Sequence, residues 1–318
     1  MTDAATSISR ATTSGDYLAL MKPRVMSLVV FTGLAGLVAA PGEIDPILAF
    51  AALLAIAAGA GGAGALNMWF DADIDAKMAR TRLRPVPSGR VPASEALALG
   101  MIMSILSVLV MILAGGLFAA GLLAFSIWFY VCVYTMVLKR RTPENIVIGG
   151  LAGALPPAIA WAAKTGGLTP DPLILVAMIF FWTPPHFWAL ALYQKGDYAA
   201  AGVPMLPVTH GAPETRKRVL LYSLVLAPLC LAPAYTGLGG ALYTVIAALG
   251  GLAFVALAIR LARSQAGEDR AGGDLYAVGQ GNRRARDLFA YSILYLALLF
   301  AALIVEHGAG LYFPLPGR

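Results

Sequence analysis

The sequence predicts an all-α integral membrane protein with nine transmembrane helices, and three observations carry that prediction. Of 318 residues, 59% are hydrophobic and 13% charged, where a soluble domain carries about 25% charged. The apolar residues fall in continuous runs of roughly 20, the length a helix needs to cross a hydrocarbon core about 30 Å thick. The basic residues alternate from one inter-run segment to the next. Mean hydropathy of +0.76 agrees. A soluble enzyme, a disordered chain and a disulfide scaffold are excluded. So is a transmembrane barrel, whose strands need only about 9–11 residues and alternate in polarity.

In chain order, residues 1–20 read as a cytoplasmic tail, with disorder expected over the Ser/Thr-rich stretch 1–15. Lys22 and Arg24 precede the first apolar run, 25–40. That start resembles a signal peptide with small residues Ala39-Ala40 at its end, but the 24 residues upstream and the later spans favour a retained helix. Further runs lie near 46–69, 95–115, 117–138, 145–163, 172–194, 219–236, 240–259 and 288–305, leaving 307–318 as an external tail. Small residues from Gly59 to Gly64, and Gly149-Gly150, allow close helix approach. Pro156-Pro157 and Pro184-Pro185 predict kinks or breaks in the fifth and sixth helices. Polar motifs after both the second and sixth spans suggest two four-helix units plus a ninth helix. Cys132 and Cys230 sit in apolar runs and read as small hydrophobes.

The basic residues orient the spans. Segments 1–24, 70–94, 139–144, 195–218 and 260–287 hold 21 of the 23 Lys and Arg. By the positive-inside rule these segments, with the N-terminus, are cytoplasmic and the C-terminus is external. The basic balance therefore reflects topology and anionic membrane lipid rather than a nucleic-acid partner. No charged residue lies inside any span, which disfavours a transporter or channel.

The richest polar stretch closes the second span. Asn67, Asp71 and Asp75 are spaced i, i+4, i+8 and form one stripe on a helix, while Asp73 faces elsewhere. Two carboxylates and an amide oxygen suit Mg²⁺, a hard cation that completes its shell with phosphate and water. Arg80, Arg82, Arg84 and Arg90 follow within a loop shaped by Pro85, Pro87 and Gly89, and guanidinium groups fork onto phosphate oxygens. The residues alone leave two readings open, a Mg²⁺–diphosphate site and a solvated juxtamembrane loop.

The pattern Asn67-x-x-x-Asp71-x-x-x-Asp75 with Arg80-Thr81-x-x-Arg84-Pro85-x-x-Gly89 resembles the first motif of the UbiA superfamily of intramembrane prenyltransferases, departing only at Val86, where Leu is usual. Residues from Lys22-Pro23-Arg24 to about 211 extend the likeness to the branch that prenylates haem. They include Arg141-Thr142-Pro143, Asn145 to Gly150, Trp182 to Leu190, and Asp197 to Val208. Quinone-type members carry a second Asp-x-x-x-Asp after the sixth span; here those positions are Gln194 and Tyr198, with Asp197 as the local acid. A CDP-alcohol phosphotransferase would require an Asp-Gly pair that the loop lacks.

The resemblance makes residues 21–306 an intramembrane prenyltransferase domain of a bacterial inner membrane, with its active site facing the cytoplasm. It implies farnesyl transfer from farnesyl diphosphate to a vinyl group of haem B, with water addition. Asn67, Asp71, Asp75 and Asp197 would hold Mg²⁺, and Arg80, Arg84 and Lys195 the diphosphate. His186, on an otherwise apolar stretch, would meet haem, with His210, Tyr198 and Asn145 as further haem-side residues. Another aromatic acceptor such as a quinone precursor is the alternative. Haem A synthase or a terminal oxidase assembly would be the protein partner.

Overall fold

A computed structural model describes residues 12–268 and 282–313. Residues 1–11 and 314–318, which belong to the two expected tails, lie outside it, as does Arg270. The described residues are helical, with no strand.

Part of the expected N-terminal tail is a helix. α1 (Ser14–Leu20) starts from a capping box in which the Thr13 amide donates to the Asp16 carboxylate at 3.1 Å. That Thr13-x-x-Asp16 signal begins inside the stretch 1–15, whose composition suggested disorder, and ends just beyond it. α2 (Pro23–Ala39) follows at a bend of 53°. Lys22 sits at the bend with φ 53° and ψ 60°.

α3 (Pro46–Phe70) is capped by the Asp45 carboxylate, which accepts the Ile47 amide at 2.8 Å. A short α4 (Ala72–Asp75) continues it. α5 (Ala93–Trp128) passes without a break into π-helix over Phe129–Val137 and a final 3₁₀ turn, Leu138–Arg140. The 48 residues from Ala93 to Arg140 would span about 72 Å if straight, more than twice a bilayer core. They are not straight. Gly116 has φ 79° and ψ 177°. A Cβ on Gly59 would meet Ser107 at 3.1 Å and Leu123 at 3.0 Å, so both arms pack on one point of α3. In a straight helix those two residues would stand about 24 Å apart.

Beyond it come α6 (Asn145–Ala154), α7 (Pro156–Thr165), α8 (Pro170–Tyr193), α9 (Lys195–Ala200), α10 (Leu206–Thr209), α11 (Gly211–Leu229), α12 (Ala232–Thr236), α13 (Ala241–Ala262) and α14 (Arg283–Gly308). The first proline pair does separate α6 from α7, whereas α8 runs on through Pro184 and Pro185. Seven segments are long and apolar enough to cross a membrane, or eight with α1–α2 as one bent span, against the nine expected. The difference includes the Ala93–Arg140 hairpin, which has the length of two spans and is continuous in backbone.

Two clusters make up most of the apolar interior. One core joins α2, α3, both arms of α5, and α7 through Leu37, Ile56, Met111, Leu123 and Ile159. The other gathers α8, α11, α13 and α14, through Trp188, Val219, Phe254 and Leu299, with α2 and α7 contributing to it as well. The glycine-rich segment of α3 permits a tight contact with α5: a Cβ on Gly62 would fall 2.8 Å from Ser104 Oγ. This packing brings the polar end of α3 against the π-helix and 3₁₀ turn that continue α5.

Candidate active site

Asn67, Asp71 and Asp75 form a continuous stripe although α3 formally ends between them. The Asp71 amide donates to the Asn67 carbonyl at 2.9 Å, and the Asp75 amide to the Asp71 carbonyl at 2.8 Å. The i+4 relation therefore survives the junction. Asp71 is 0% exposed and Asp75 1%, whereas Asp73, on the other side, is 59% exposed.

Burying two carboxylates so close together requires compensating cations. Lys139 donates to Asp71 Oδ2, and Arg140 reaches within 3.6 Å of Asp71 Oδ1 while forking onto Asp73 at 2.7 and 2.9 Å. Arg84 donates to Asp75 Oδ2 at 2.6 Å. Lys22 donates to the Asn67 amide oxygen. The Asn67 amide nitrogen donates to Asp71 at 2.7 Å and to Thr135, within the π-helix, at 3.0 Å. Two acceptor atoms remain. Asp71 Oδ1 and Asp75 Oδ1 are buried and accept no hydrogen bond among the described residues. Because buried oxygens without donors are costly, this is a ready pair of hard ligands for a cation.

The arginine loop folds back on the stripe. Thr81 Oγ donates to the Asp75 carbonyl at 2.7 Å, and Gly89, at φ 74°, turns the chain so that Arg90 meets Asp16 of α1 at 2.8 Å. Val86, the departure from the family motif, is buried beside Leu20 and Met68. Asp197 joins from α9. Its two oxygens accept the backbone amides of Ala79 at 3.1 Å and Arg80 at 3.4 Å, so it clamps the loop. Arg80 lies 6.0 Å over the buried Tyr198 ring. Lys195 opens the same short helix.

The other predicted residues separate from this cluster. Asn145 is buried, donates to the Thr142 carbonyl, and keeps its own Oδ1 without a partner. His186 is buried between α8 and α14, where its Nδ1 meets Ser292 Oγ at 2.6 Å. His210 is exposed, bonded through Nδ1 to Thr209 at 2.9 Å, and stands outside the buried groupings.

The sequence reading missed Lys22, Lys139 and Arg140 as site residues. All three had been counted as topological charges. Lys22 carries the clearest structural sign, as the one non-glycine residue with positive φ among those described, a conformation that costs about 1–2 kcal/mol and gathers at functional sites. An apolar cleft begins beside Lys22 and Tyr130 and runs along Ala60, Ala63 and Leu123 to Pro156. Some of the small residues of α3 thus open space, where packing alone was expected.

The model of the UbiA prenyltransferase family matches residues 28–271. Protoheme IX farnesyltransferase of Maricaulis maris is 61% identical over 95% of this chain and 92% of its own length. The protein of that name from Hyphomonas neptunium is 56% identical over 99% and 98%. Among solved structures, digeranylgeranylglyceryl phosphate synthase aligns with TM-score 0.71 at 18% identity, covering 92% of this chain and 97% of that one. A UbiA homologue from Archaeoglobus fulgidus bound to GPP and Mg²⁺ aligns at 0.62 and 16% identity, covering 91% and 99%. The fold is shared with both structures. The chain belongs to the UbiA prenyltransferase family.

Proposed function

We propose that this protein transfers the farnesyl group of farnesyl diphosphate to a vinyl group of haem B, adding water and releasing haem O and diphosphate. The names of its relatives at 52–61% identity support the two substrates. Within the chain, one observation carries the reading: two buried carboxylates, each with an oxygen that accepts no hydrogen bond among the described residues, are paired with Arg84, Lys139 and Arg140, while Lys22 bonds the neighbouring Asn67.

Asp71 and Asp75 would hold Mg²⁺ through those oxygens. The bound ion would neutralise the diphosphate leaving group. Asn67 and Asp197 belong to the same site, but their oxygens already hold Lys22 and the loop amides. We therefore assign them to positioning rather than direct ligation. Arg80, Arg84, Lys22, Lys139 and Lys195 surround the diphosphate and stabilise the charge that develops on it.

As the allylic C–O bond breaks, its electron pair leaves with diphosphate. The apolar cleft beside Lys22 receives the farnesyl chain and keeps water from the allylic cation. The vinyl π electrons then bond to the farnesyl carbon. Water adds to the carbon left positive and loses a proton, giving a hydroxyethylfarnesyl side chain. His186 would hold the haem, with Tyr198, Asn145 and the exposed His210 as further haem-side residues.

The protein is an integral membrane protein. We assign it nine passes, counting the two arms around Gly116 separately and α1–α2 as one. The basic-residue split supports a cytoplasmic N-terminus and site, in what we take to be a bacterial inner membrane. Haem A synthase or an oxidase assembly would receive the product. Incubating the purified protein with haem B, farnesyl diphosphate and Mg²⁺ tests the activity by product mass. The expected product is haem B plus one farnesyl and one hydroxyl group; recovery of unchanged haem would refute the proposal.

A further inference from the structure

His186 is held on three sides. Trp182 stacks on one face at 4.2 Å between ring centroids, and Phe289 on the other at 4.5 Å. The third contact is the 2.6 Å bond between Nδ1 and Ser292 Oγ. Ser292 Oγ also lies 2.6 Å from the Phe289 carbonyl, which only accepts. The single hydroxyl proton is therefore spent on that carbonyl. Nδ1 must then be the donor towards Ser292, which leaves the lone pair of a neutral imidazole on Nε2.

Two other buried helical serines differ. Ser223 and Ser107 bond back to carbonyls of their own helices at 2.6 and 2.8 Å and receive no side chain from a neighbour. Ser292 makes that bond and also receives His186 from α8. Its own carbonyl accepts Trp182 Nε1 at 2.8 Å, so one residue of α14 fixes both the imidazole and a ring stacked on it. With both faces covered, Phe187 edge-on at 5.0 Å and Nδ1 committed, Nε2 is the ring nitrogen left to meet a ligand. A metal-binding histidine is ordinarily prepared this way, its second nitrogen donating to a fixed acceptor that sets tautomer, orientation and basicity.

We propose that Ser292 is a positioning residue for the acceptor substrate, holding His186 as the Nδ1–H tautomer with its Nε2 lone pair presented to the iron of haem B. The inference rests on the assignment of His186 to haem.

Haem B and farnesyl diphosphate titrations of Ser292→Ala, Ser292→Thr and His186→Ala, normalised to folded protein, test it. They are paired with the iron–histidine stretching band of the ferrous haem complex. Ser292→Ala should lower haem affinity about 10- to 100-fold and shift the band to lower frequency. Its farnesyl diphosphate affinity should hold, and Ser292→Thr should restore haem binding and band together. His186→Ala should lose the band and regain one with added imidazole. If His186→Ala loses the band but Ser292→Ala keeps the wild-type band and affinity, the role of Ser292 falls while His186 stays with haem. A wild-type band in His186→Ala removes the haem assignment itself. Loss of farnesyl diphosphate binding in Ser292→Ala would make its effect structural and overturn the inference.

Discussion

Asp197 and Ala79 are 118 residues apart in the chain, yet the Ala79 amide donates to the Asp197 carboxylate at 3.1 Å. With the Arg80 amide at 3.4 Å on the second oxygen, this pair ties the segment after α8 to the arginine loop after α3. The contact gives Asp197 a structural task that its position in the sequence did not reveal.

Asp197→Asn removes the charge and one of two acceptors but keeps an amide oxygen. We expect farnesyl diphosphate affinity to fall about tenfold, the cost of one weakened charge-assisted contact of about 1.5 kcal/mol. Turnover at saturating substrate should be largely retained. Complete loss of turnover would return Asp197 to the metal site. Substrate titration of the purified variant distinguishes the two.

Lys22 is tested by two substitutions. Lys22→Met keeps the stem and removes the charge, and should weaken farnesyl diphosphate binding about 10- to 100-fold. Lys22→Gly should lose as much affinity without loss of thermal stability, because glycine adopts φ 53° freely. Equal thermal destabilisation in both variants would make Lys22 structural.

Asp73 provides the contrast. Hydrogen bonds from Arg140 hold its carboxyl below the usual carboxylate range. A lowered folded value means the stabilisation is fully present above the ordinary carboxyl pKa and lost as pH falls through the folded one. The group is mostly exposed, so the pair contributes about 0.2–1 kcal/mol. Asp73→Asn should therefore lower the unfolding midpoint slightly at neutral pH, with the difference vanishing in strong acid. A midpoint difference that persists in strong acid would show that the ion pair is not its source.

A cleft proposed to receive the prenyl chain would also limit its length. Ala60 lines it between Lys22 and Leu123, and a bulky side chain there shortens the available space. Ala60→Phe should reduce turnover of farnesyl diphosphate about 10- to 100-fold, relative to geranyl diphosphate. Equal losses with both substrates would place the prenyl chain elsewhere.

Much of this was legible in the sequence because helix geometry is local. The i, i+4, i+8 spacing predicted the buried stripe and the exclusion of Asp73, and the separation of two apolar runs at residue 116 matches the turn at Gly116. The cations outside the arginine loop, Lys22, Lys139 and Arg140, were not legible. Lys139 and Arg140 reach the carboxylates only because the second arm of α5 packs on α3, and their sequence context signals nothing but topology. Ser292 was hidden for a related reason: a lone serine on an apolar helix has no motif. Its partner lies 106 residues away.

The most direct test compares haem O formation by Asp71→Asn, Asp75→Asn and Asp73→Asn at matched folded protein. Each change removes one charge and preserves side-chain shape. The first two remove charge from the buried pair proposed to hold Mg²⁺, and should abolish detectable product. Asp73→Asn should retain turnover within a few-fold of wild type. Near-normal product from Asp71→Asn or Asp75→Asn, or an equal loss in all three, would contradict the assignment of the metal and diphosphate to this stripe.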